Sequence, residues 1–80
     1  MTAKPELTLQ SAPCGASVRV VRLDADHADY QRLCEMGFCE NACIKKIAQG
    51  AALICSVCGV RVAISAKLAE RIFVQKVGHN

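Results

Sequence analysis

The apolar residues change period several times along the chain. Over Ser17–Leu23 (SVRVVRL) they roughly alternate, with Val18 and Val20 on one side and Arg19 on the other. That is the pattern of a half-buried strand. Asp24–Asp26 ends the alternation, and from Asp26 onward Tyr30, Leu33, Cys34 and Gly37 fall at helical spacing. Asp26 is placed to cap this helix and Asp29 suits the positive end of its dipole, while Gly37 closes it as a C′ glycine would. Asn41 marks a turn, since asparagine tolerates the left-handed conformation. Cys43–Ala48 predicts a second strand, Gln49–Gly50 a turn and Ala52–Val57 a third strand, with a tight reversal at Gly59. Val60–Ile64 alternates again, Val60, Val62 and Ile64 sharing one face. Ser65 opens a short helical turn through Leu68 and Ala69, and Ile72–Val77 predicts a last strand with Ile72 and Val74 inward.

About five short strands, one inserted α-helix and one helical turn predict a mainly β fold. Strands this short leave exposed edges unless the sheet bends round on itself, so a small β-barrel is expected. The chain has 80 residues, room for a single domain over 1–80 with an ordered core at about 8–77 and frayed ends at 1–6 and 78–80. At 52% hydrophobic and 21% charged the composition is globular, and with aromatics at 4% the core must be built from Val, Ile, Leu and Ala. No apolar run reaches the roughly 18–20 residues that cross a bilayer. MTAKPELTLQ lacks the apolar stretch of a secretory leader, so a cytoplasmic protein without membrane insertion of its own is expected. The net charge of +3 is spread along the chain. Arg19, Arg22, Arg32, Lys45, Lys46, Arg61, Lys67 and Arg71 read as a solvated face rather than a nucleic-acid stripe.

The ordered pieces resemble the bacterial ferrous iron transport protein A (FeoA) family. Ala12-Pro13-Cys14-Gly15 matches its early apolar-Gly step, and Leu33-Cys34-Glu35-Met36-Gly37-Phe38 its L-x-x-[LM]-G-[LMF] helix end. Gly59-Val60-Arg61-Val62-Ala63-Ile64 matches its hairpin strand, and Ala69-Glu70-Arg71-Ile72-Phe73-Val74 its closing A-x-x-I-x-V. Asn41 stands where the family usually has a second glycine, and the cysteine content is a further departure. The resemblance implies a standalone SH3-like barrel that is not an enzyme. It also implies an accessory or regulatory role beside the FeoB-type ferrous iron transporter, whose cytoplasmic part is a G protein.

Six cysteines, Cys14, Cys34, Cys39, Cys43, Cys55 and Cys58, invite a second reading. In a reducing compartment disulfides are not the default, and metal binding is the rival. Cys55-Ser-Val-Cys58-Gly59 has the C-x-x-C-G form of a metal knuckle, and Cys39 and Cys43 form a C-x-x-x-C pair before it. Four thiolates suit structural zinc, or an iron or iron–sulfur centre. Against this, cysteine packs well as a small hydrophobe. Residues three apart in a strand face opposite ways, so Cys55 and Cys58 converge only if the turn begins at Val57. No cofactor is assigned on the sequence alone; zinc or iron is the open alternative.

The acidic cluster Asp24, Asp26, Asp29 around His27 reads as a solvated helix start. No Ser-His-Asp set, phosphate loop or paired carboxylate is present, and no catalysis is expected. For a binding module the candidates are apolar groups near the helix end: Met36, Gly37 and Phe38, with Tyr30 besides. Met36 and Phe38 have a competing role in sealing the barrel mouth.

Overall fold

The computed structural model describes residues 7–77; the expected frayed ends at 1–6 and 78–80 lie outside the described residues. The elements are β1 (Leu7–Thr8), β2 (Ser17–Leu23), α1 (His27–Glu35), β3 (Cys43–Gln49), β4 (Leu53–Val57), β5 (Val60–Ile64), α2 (Ala66–Ala69) and β6 (Ile72–Lys76). The six strands form one antiparallel sheet in the order β1-β6-β2-β3-β4-β5. The five expected strands are all present, and β1 is one more. At two residues it is too short to show an alternation, and it is held by pairing Leu7 with Val74 and Thr8 with Phe73 on β6.

The sheet bends where the registers shift, between Val20 and Arg22 on β2 and between Lys46 and Ala48 on β3. Such bulges sharpen the local twist and let short strands wrap one core. That core holds Val18, Val20, Leu33, Phe38, Ile44, Leu53, Cys55, Ile64, Ile72 and Val74. On β2 the alternation works as read, Val18 and Val20 buried and Arg19 exposed. On β5 only Ile64 is buried, while Val60 is 60% exposed beside the turn. Past the bulge, Arg22 lies opposite Phe73, its guanidinium carbon 4.1 Å from the ring centroid, a cation–π contact.

Both helix starts carry side-chain caps, Asp26 accepting from the Asp29 amide and Ser65 from that of Leu68. The end of α1 is a Schellman turn. The Phe38 amide donates to the Leu33 carbonyl at 2.8 Å and the Gly37 amide to that of Cys34 at 3.0 Å, with Gly37 at φ +100°. A Cβ on Gly37 would stand 2.6 Å from a Val57 methyl. Glycine here meets a left-handed backbone and a close approach of the helix end to β4.

Candidate functional site

The helix end positions the apolar candidates, and it divides them. A Schellman turn brings the residue after its glycine back onto the helix, so Phe38 closes over Leu33 and both are 0% exposed. Phe38 is therefore a core residue, and the expectation that it stands at a binding surface is corrected. Met36 is half-buried against the core, Gly37 is half-buried, and Tyr30 is exposed at 37%. Of these candidates Tyr30 alone is exposed.

Around Tyr30 the turn gathers Cys34, Cys39 and Glu40. The Glu40 carboxylate, foremost, holds the Tyr30 phenol above its ordinary range, with Cys34 adding to it. Burial chiefly pushes the Cys34 thiol up, and the neighbouring Cys39 thiol reinforces that. Asp29 and Arg32 on α1 and Ser65, Lys67, Leu68 and Arg71 at α2 line an open cleft of about 290 Å³. Arg32, Lys67 and Arg71 thus bring three cations to this cleft, which Tyr30 does not line. This cleft joins residues far apart in sequence, and only the packing of α2 near α1 reveals it.

The cysteines of the metal reading do not assemble as a set. Cys55 points into the core from the middle of β4 and is 0% exposed, whereas Cys58 is exposed at the hairpin tip. Val57 still pairs with Val60, so the turn proper is Cys58-Gly59, and the strand carries Cys55 inward before it begins. Cys39 lies at the end of α1 with Cys34, and Cys43 opens β3. Among the described residues no three His, Cys, Asp or Glu side chains form a group that could hold a metal ion. The Cys55 thiol is held above its ordinary value by burial, an effect that the nearby Lys46 ammonium opposes.

Lys46 itself departs from the solvated face expected of the basic residues. Strand alternation places it inward beside Ile44, and it is 0% exposed. Its ammonium donates to the Gln10 carbonyl at 2.8 Å and to that of Ala12 at 2.6 Å. The segment leading to β2 is thereby tied to β3, and backbone bonds between Lys46 and both Gly15 and Ala16 complete the tie. Nothing in the run Ile44-Lys45-Lys46-Ile47 says which lysine turns inward; the register decides it.

Comparison with known proteins adds to this geometry. No curated protein matches the chain. The crystal structure of an iron uptake regulatory protein, FeoA, matches with TM-score 0.86 and 32% identity, over 92% of this chain and 100% of that one. The FeoA of Stenotrophomonas maltophilia, solved in complex with zinc, matches with TM-score 0.76 and 28% identity over 86% of this chain and 89% of that one. That protein is described as a prokaryotic SH3-domain protein and a candidate ferrous iron transport activating factor. T. acidophilum IdeR shares the fold at TM-score 0.83 and 18% identity, over 96% of this chain and 37% of its own. Asn41 takes φ +72°, the conformation a glycine would supply at that step. The FeoA domain model matches residues 7–76, nearly every described residue, and on that match and the SH3-like sheet the chain belongs to the FeoA family.

Proposed function

We propose that the protein is a non-enzymatic, cytoplasmic accessory and regulatory factor of bacterial ferrous iron uptake. It docks on the FeoB-type transporter at its G-protein domain. The observation that carries this reading is the FeoA match over residues 7–76, supported by the likeness to an iron uptake regulatory protein along that protein's full length. None of the helices formed by the described residues is long and apolar enough to cross a membrane, so a role beside a membrane transporter is one of contact.

The contact surface in this reading is the outward side of the α1 end. Tyr30 offers exposed aromatic area with the Glu40 carboxylate beside it, and Met36 is half-buried at the helix end, while Arg32, Lys67 and Arg71 line the neighbouring cleft between α1 and α2. A few aromatic anchors are where protein interfaces concentrate their affinity. Tyr30→Asp tests the assignment, with circular dichroism reading separately whether the chain stays folded. The expected result is loss of co-purification with the transporter, at unchanged circular dichroism. A folded variant that binds as well as wild type contradicts the surface. A wild-type chain that never co-purifies contradicts the docking itself.

A further inference from the structure

We propose that Cys43 and Cys58 are a redox-active dithiol that closes into a disulfide by exchange with low-molecular-weight disulfides. The register of β3 on β4 ends with Ile44 paired to Val57, and Cys43 and Cys58 are the residues that flank this last pair on the two chains, Cys58 being the first residue of the turn. A ladder continued by one pair would set their Cα atoms about 4.5–5.5 Å apart, inside the span of about 4.4–6.8 Å that a disulfide bridges. Both cysteines are exposed, and both line one open cavity of about 210 Å³ with Ser17, Lys45 and Ser56. Arg19 lies across from Cys43 on β2, so cations flank the pair from two strands. No third metal-ligating side chain joins them among the described residues, which leaves a dithiol rather than a tetrahedral metal set.

The exchange balances without any other reagent. The Cys43 or Cys58 thiolate attacks one sulfur of the small disulfide and expels one small thiol. The second protein thiolate then attacks the mixed disulfide and expels the other. The protein loses two protons and two electrons, and one small disulfide becomes two thiols. The closed form clamps the start of β3 to the tip of the β4–β5 hairpin.

The experiment equilibrates reduced protein, without air, in mixtures of reduced and oxidised glutathione. Trapped thiols are counted and tryptic peptides mapped by mass. The expected result is loss of two of the six thiols and a cross-link joining peptide 33–45 to peptide 47–61 through Cys43 and Cys58. Cys58→Asn should abolish the link while keeping the fold. Cys58 and Gly59 both have positive φ, +54° and +82°, and asparagine before glycine is favoured in such a turn. Cys43 and Cys58 left free, or each carrying glutathione separately, would overturn the proposal. So would a link confined to peptide 33–45, which would join two of Cys34, Cys39 and Cys43 instead.

Discussion

Cys55 shows what one residue contributes in a thin core. It behaves as a packed hydrophobe that happens to titrate, fully buried among the side chains of the bent sheet. Burial holds its thiol above the ordinary value near 9.0, so the native state keeps the proton after the unfolded chain has released it. Below that value both states are protonated and the stabilisation is complete. As pH rises past it, the unfolded chain binds fewer protons than the native one and stability falls. Cys55→Ala removes the titration and leaves a small cavity. Wild type should therefore be the more stable at neutral pH, with the gap narrowing as pH rises past 9.0 in urea titrations. A gap independent of pH would show that the thiol ionises equally in both states.

At the scale of elements, α1 was legible almost to its ends. Asp26, Asp29 and Gly37 are local signals, and each acts within one turn of itself. The strands were legible where one face is buried, as on β2, and less so at β5, whose face is only partly covered. The inward lysine was not legible, because Lys45 and Lys46 are adjacent and only cross-strand pairing orders them. Lys46 now makes a prediction about the segment it ties. Lys46→Met fills the space but leaves the Gln10 and Ala12 carbonyls without their ammonium donor. The loss should be about 1–3 kcal/mol, with amide exchange accelerating over residues 9–16 before it does in β3. Uniform acceleration across the sheet would mean that the lysine does not hold that segment in particular.

For the whole molecule, the fold was legible because every local choice agrees with it: short alternating strands, one capped helix and turn residues where the chain reverses. The second strand partner of β6, Leu7–Thr8, escaped because two residues carry no period. The surface was less legible than the fold. Phe38 is apolar and sits next to a helix end, which suits a docking anchor and a core plug equally. Only the Schellman turn, which folds it onto Leu33, separates the two. The cysteine spacing likewise suggested one metal set, whereas strand alternation sends Cys55 inward and leaves Cys58 at the turn. Spacing along a chain becomes geometry only after the register is known.

The most direct measurement is ferrous iron uptake by cells that encode this chain, compared with cells from which it has been removed, both holding the same amount of transporter. Uptake should fall on removal, recover with the wild-type chain and not recover with Tyr30→Asp. Equal uptake with and without the chain, at equal transporter levels, would contradict its place in ferrous iron transport.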